Sequence, residues 1–157
     1  MESIRYCAPG HIFCKAKKVM VAVDGSEGSS RATTAAFEIA EMTNSKLFII
    51  HVIPTSVVQQ FSLMSDANPD EVLHKYKVKG KTLLDGYKRA ADDYNLEVEL
   101  ILEKGSPSER IILQAKKLEV DLLVIGSVGA SGALRSGVGS SAERVVLGST
   151  CPVLVVK

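Results

Sequence analysis

A chain of 157 residues with 46% apolar and 24% charged residues has the length for one domain with a sizeable core. Its net charge of +1 offers no bulk attraction to nucleic acid or an anionic membrane, and no apolar run approaches the roughly 18 residues of a membrane span. Cys7, Cys14 and Cys151 are odd in number and lack C-x-x-C spacing, and His11, His51 and His74 are scattered. That usage points away from a disulfide framework or a zinc site and toward a reduced, cytoplasmic setting.

Met1 to Lys17 has neither the apolar core nor the cleavage site of a signal peptide. It reads as a lead-in of residues 1–17 before a single domain over 18–157. Val19-Met20-Val21-Ala22-Val23 is a continuous apolar run ending at Asp24-Gly25, which predicts a central parallel strand buried on both faces. From Ser26 to Thr43, Ala32, Ala35, Ala36, Ile39 and Ala40 give the spacing of an amphipathic helix. Leu47 to Ile53 predicts a second buried strand, stopped by Pro54. Residues 54–70 are polar and mixed and read as a long connection or a partly ordered lid.

Val72, Tyr76, Leu83, Tyr87, Ala90 and Tyr94 mark a long helix over 70–94, weakened at Gly80 and Gly86. Leu96, Val98, Leu100 and Leu102 alternate, as on a half-buried edge strand. Ser106-Pro107-Ser108-Glu109 opens another helix, with Ser106 as cap, Pro107 in the first turn and Glu109 closing a capping box. The order closes with a strand over 121–126, a helix over about 140–148 and a last strand, Val153 to Val156.

Between the fourth strand and the last helix lies Gly126-Ser127-Val128-Gly129, nine residues, and Gly139-Ser140-Ser141. Five of the twelve glycines fall between positions 126 and 139, so the segment is a glycine-rich strand-to-helix connection. Such a loop lets backbone N–H groups approach an oxyanion, and the helix start adds unsatisfied donors and partial positive charge. Ser140 and Ser141 add hydroxyls, and Arg135 a fixed charge. A phosphate suits this chemistry. So does a plain surface loop, with Ser140 and Glu143 forming a capping box.

Two better-known phosphate motifs are near misses. Gly137-x-Gly139-x-x-Ala142 has dinucleotide-fingerprint spacing, but its first glycine lies eleven residues past the strand and no acidic strand end follows. Gly80-Lys81-Thr82 resembles the end of a Walker loop, but Lys75 stands where that motif needs glycine.

Alternating strands and helices predict an α/β fold, an open five-stranded parallel sheet with helices on both faces and right-handed crossovers. Ligands of such sheets bind at the carboxyl ends of the strands where the winding reverses. Asp24 and Gly126 both end strands and are candidates for one crevice. Asp24 can accept from ribose hydroxyls or an adenine amino group; it is equally good turn chemistry.

These segments together resemble the universal stress protein family, from about Lys18 to Lys157. The likeness rests on Val21-Ala22-Val23-Asp24-Gly25-Ser26, Leu47-Phe48-Ile49-Ile50-His51-Val52, Asp121 to Ser127 and Cys151 to Val156. The nucleotide-binding branch carries glycine, two residues, glycine, nine residues, glycine, then serine or threonine, a spacing complete here at Gly126, Gly129, Gly139 and Ser140. The resemblance implies a Rossmann-like, adenine nucleotide alpha hydrolase-like fold that binds ATP, or ADP or AMP. Ala22, Val23 and Asp24 would lie at the base and ribose end, with the main chain of Val52 at the adenine edge. Gly126 and Val128 would line the ribose side, and Gly129, Arg135, Gly139, Ser140 and Ser141 the phosphates. Mg²⁺ or Mn²⁺ would be held through the phosphates. A homodimer through Val153–Val156 is implied, with protein partners unnamed.

Many members carry His where this chain has Val128 and a cation where it has Ala130, which predicts weaker phosphate affinity or AMP as an equal guest. Three functions follow: an ATP-binding regulatory dimer in stress response, a slow ATPase or autophosphorylating enzyme, or a dimeric module without nucleotide. Phosphoryl transfer needs a positioned base. The loop carries no carboxylate or histidine, so the regulatory dimer is the leading expectation.

Overall fold

The computed structural model describes residues 16–128 and 138–157. Five parallel strands form one sheet: β1 (Lys18–Ala22), β2 (Lys46–Pro54), β3 (Val98–Gly105), β4 (Leu122–Gly126) and β5 (Val153–Val156), in the spatial order β3-β2-β1-β4-β5. The expected Rossmann-like architecture is therefore present, with β3 and β5 on the edges. The helices are α1 (Glu27–Thr43), α2 (Thr55–Ser65), α3 (Pro69–Ala91), α4 (Pro107–Lys117) and α5 (Ser140–Gly148).

Central strands carry unbroken apolar runs because both of their faces are covered. Val19, Val21, Leu47, Ile49 and Val124 face α1 and α3, packing on Ala32, Ala36, Phe37 and Leu84. Met20, Phe48, Ile50, Leu123 and Ile125 face α4 and α5, packing on Ile111, Ala115, Ala142 and Val145. Small residues on α1 let it approach closely. Its buried stripe is Ala32, Ala36, Phe37 and Ala40, rotated slightly from the expected one, so that Ala35 and Ile39 are only half-buried.

The long connection expected over 54–70 is instead mostly helix. α2 runs Thr55–Ser65, and its Val58 packs with Ile53 and Val72 in a small cluster of its own. Only Val58 and Ser62 of α2 are buried, while Phe61, Leu63 and Met64 are exposed, so no apolar stripe marks the helix in the sequence. Pro54 does not stop β2 before its last rung; it pairs with Gly105. Its ring sits on the side from which β1 has departed, so the missing N–H breaks no ladder bond.

Two caps also differ from expectation. Ser106 is the N-cap of α4, with Pro107 in the first turn, but its side chain makes no capping bond. α5 is capped by Gly139, with Ser140 already helical, so the Ser140–Glu143 capping box does not form. Cys151 is half-buried. Among the described residues, no helix is long and apolar enough to cross a membrane.

The two glycines within α3 have different reasons. A β-carbon at Gly80 would lie 2.9 Å from both His51 Cδ2 and Leu102 Cδ1, so the helix lies on β2 and β3 only because that position is bare. At Gly86 the nearest atom is Arg89 Nη2, 4.0 Å away. Gly86→Ala should therefore raise stability by about 1 kcal/mol through helix propensity alone. Gly80→Ala should lower it, because overpacking of about 1–3 kcal/mol outweighs the same gain. Urea midpoints of the two variants check this; equal shifts would contradict the packing account.

Candidate functional site

The winding reverses between β1 and β4, which are neighbours although far apart in sequence. β1 leads into α1 on one face and β4 toward α5 on the other, so the chain parts and leaves a crevice at the carboxyl ends. A cleft of about 680 Å³ opens there.

One wall is the β1–α1 turn. Asp24 Oδ1 accepts from Ser26 N–H at 2.9 Å, and Ser26 Oγ accepts from Ser29 N–H at 3.1 Å as the N-cap of α1. The turn-residue role open to Asp24 is thus filled, and the same residue lies on the cleft rim. Gly25 follows with φ +82, a conformation that favours glycine.

The opposite wall is the end of β4. A β-carbon at Gly126 would lie 2.7 Å from the Gly28 carbonyl carbon and 2.8 Å from its oxygen, and one at Gly28 would lie 2.4 Å from the Val128 oxygen. The first turn of α1 therefore rests directly on the β4 backbone. Gly126 has a packing reason to be glycine that is independent of any ligand.

The connection then turns back. Ser127 N–H donates to Val156 C=O at 2.9 Å, and Gly139 N–H donates to Ser127 C=O at 2.6 Å. This fixes where α5 begins. Among the described residues no side chain caps that end, and the N–H groups of its first turn, which have no acceptor within the helix, stand at the cleft. The helix dipole adds partial positive charge there.

The floor is β2. Ile50 C=O accepts from Val23 N–H at 2.9 Å, and β1 then leaves the sheet. In this register even-numbered residues of β2 face β1, so the N–H and C=O of Val52 point to the side that β1 vacates. Together they form an adjacent donor and acceptor at the cleft.

Nine of the residues singled out from the sequence meet in this cleft: Ala22, Val23 and Asp24 from the β1 end, Val52 from β2, Gly126 and Val128 from the β4 end, and Gly139, Ser140 and Ser141 at the α5 start. Gly129 and Arg135 lie outside the described residues. The sequence reading missed His51, whose Nδ1 lies 2.7 Å from Val23 C=O, and the α3 residues Tyr76, Lys79 and Leu83. Lys79 Nζ stands 5.9 Å from the Tyr76 ring centroid. Only α3's position over β2 brings these three to the cleft, and no local motif marks them. Among the described residues, no group of three or more His, Cys, Asp or Glu gathers to hold a metal.

A smaller hollow of about 250 Å³ lies at the other end of the sheet, beside Asn44, Lys46 and Asn95. There Lys46 pairs with Glu99 at 2.7 Å and Glu97 at 3.5 Å. The hydrogen bond it donates to the Glu99 carboxylate holds the ammonium above its usual pKa. This is edge-strand charge pairing across β2 and β3.

Fold and crevice define a doubly wound α/β protein with an open cleft at its switch point. The chain belongs to the universal stress protein family, whose sequence profile matches residues 15–157. It is 35% identical over 145 residues to the universal stress protein YxiE of Bacillus subtilis (strain 168), covering 89% of this chain and 98% of that relative. The solved structure of the hypothetical protein MJ0577 superposes with a TM-score of 0.80 at 26% identity, covering 90% of this chain and 96% of that one. A universal stress protein solved in complex with cAMP superposes with a TM-score of 0.65 at 25% identity, again over 90% and 96%.

The Gly28–Gly126 contact has a measurable consequence. Gly126→Ala and Gly28→Ala should each destabilise the ligand-free protein by about 1–3 kcal/mol, since the obstacle is backbone and cannot swing aside. Thermal unfolding without ligand reads this. An unchanged midpoint in both variants would mean that the contact is looser than drawn.

Proposed function

We propose that this protein binds an adenine nucleotide in the switch-point cleft, ATP first among them, and acts as a nucleotide-dependent regulatory dimer in stress response. One observation carries the reading. The adjacent N–H and C=O of Val52 and the uncapped first turn of α5 face the same cleft, one suited to a base edge and the other to phosphates. The family relative solved with cAMP supports an adenine nucleotide as the ligand class.

In this reading Val52 N–H donates to adenine N1 and Val52 C=O accepts from the amino group, with Ala22 and Val23 beneath the base. Asp24 accepts from the ribose hydroxyls, and Gly126 and Val128 line the sugar. The N–H groups and hydroxyls of Ser140 and Ser141, with Gly139, hold phosphate oxygens. Gly129 and Arg135 complete the phosphate set by the family spacing. The residues fit the nucleotide but supply no carboxylate cluster for a metal, so Mg²⁺ or Mn²⁺ would ride on the phosphates.

Occupancy would bear on the segment bounded by Ser127 and Gly139, which are bonded to each other. Ser127 is also bonded to Val156 on β5. Nucleotide state thereby has a short route to the sheet edge. β5 bonds to β4 through Pro152 and Val156, which leaves the N–H and C=O of Val153 and Val155 facing outward. An exposed apolar edge of this kind is satisfied by pairing with a second copy.

Ser141→Asp tests the phosphate assignment. An acidic residue in a helix's first turn favours the helix. Beside bound phosphates it repels, so Mg-ATP affinity by calorimetry should fall about tenfold or more while thermal stability holds or rises. Undiminished affinity would move the phosphates elsewhere.

Val155→Pro tests the dimer. Proline removes an outward N–H without touching the β4 ladder. Light scattering should show a monomer that still binds nucleotide. A persistent dimer would place the interface on another face.

A further inference from the structure

The β1–β2 ladder ends with Ala22 opposite Ile50, while β2 runs on to Pro54. Even-numbered residues of β2 bond to β1: Lys46 N–H donates to Lys17 C=O at 2.9 Å, and Ile50 C=O accepts from Val23 N–H at 2.9 Å. With Ala22 opposite Ile50, the next acceptor in line for Val52 N–H is Val23 C=O. That carbonyl is taken by the imidazole of His51, with Nδ1 2.7 Å away. A carbonyl can only accept, so Nδ1 carries the proton. Among the described residues no backbone bond joins Val52 N–H to Val23 C=O.

Space for the ring comes from α3. Gly80 stands over the imidazole, where a β-carbon would lie 2.9 Å from Cδ2 and 3.4 Å from Nε2. The ring is thus held between the helix and the strand end, at the edge of the cleft.

We propose that His51 is the positioning residue for base recognition. By holding the Val23 carbonyl toward its ring, it keeps that oxygen out of line with Val52 N–H and leaves Val52 presenting a donor and an acceptor side by side. That pair matches adenine, whose N1 accepts and whose amino group donates. In the same pose guanine presents a donor at N1 and an acceptor at O6, so both contacts become mismatches. Without the imidazole, the buried Val23 carbonyl needs another donor, and Val52 N–H is the nearest in register. The ladder would then close and the base would lose its donor. This inference rests on the adenine-nucleotide reading above.

The test uses the full chain and three variants. His51→Leu removes the donor, His51→Asn places an amide N–H where Nδ1 stood, and His51→Gln carries it too far along. Amide exchange of Val52 is followed with and without nucleotide, and Mg-ATP and Mg-GTP affinities are measured by calorimetry. In the wild type, Val52 N–H should exchange readily and become protected by Mg-ATP. In His51→Leu it should be protected already. That variant should bind Mg-ATP about tenfold or more weakly, the scale of one lost hydrogen bond to the base. Its preference for ATP over GTP should shrink.

His51→Asn should restore exchange, affinity and preference, whereas His51→Gln should not. Should His51→Leu fail to fold, the Asn and Gln pair decides. Wild-type affinity, preference and Val52 exchange in His51→Leu or His51→Gln would overturn the role of His51 while leaving nucleotide binding intact. A wild type that binds no adenine nucleotide would remove the nucleotide reading and this inference together.

Discussion

The first turn of α1 lies almost on the backbone of β4, with Gly28 against Gly126 and the Val128 carbonyl. Neither position has room for a methyl group. This contact joins the two halves of the sheet at the point where the chain reverses its winding. It also sets the Ser26–Ser29 turn, and with it Asp24, against the end of β4. A wider spacing would open the crevice into a flat surface. Packing alone therefore requires a bare backbone at Gly126, whatever occupies the cleft.

The cleft that results presents much of its polar character through main chain. Val52 offers a peptide N–H and C=O, and α5 offers first-turn N–H groups that have no acceptor within the helix. Such donors are placed by the sheet register and the helix start, not by rotamers. Substitution of side chains around them changes charge and shape without moving them. The same main-chain route links the site to the sheet edge, because Ser127 bonds both to Gly139 beside the cleft and to Val156 on β5.

α2 and α3 show where local pattern and tertiary packing disagree. α2 carries Val57, Val58, Phe61, Leu63 and Met64, but only Val58 among them is buried, because the helix touches the body along one narrow line. A sequence pattern reports burial, and a helix that buries so little leaves little pattern. In α3 the intrinsic preference counts Gly80 and Gly86 equally as weaknesses. Packing separates them: Gly80 admits the His51 ring and Leu102, and at Gly86 a β-carbon would meet nothing nearer than Arg89 Nη2 at 4.0 Å.

The central strands, the alternation with helices and the five-stranded parallel sheet were legible because buried strands must be continuously apolar and crossovers must be long. The residues around the glycine spacing were legible as a group because strand ends gather at one edge of such a sheet. The particular roles were not. Asp24 acts as a turn acceptor, and Gly139, not Ser140, caps α5, since hydrogen-bond partners depend on angles that spacing does not encode. Tyr76, Lys79 and Leu83 reach the cleft only through the seating of α3 on β2, a contact between segments remote in sequence. The chain by itself determined which segments are buried and in what order they wind. The tertiary structure decided which main-chain groups are left unpaired at the switch point, because that depends on where one ladder ends against another.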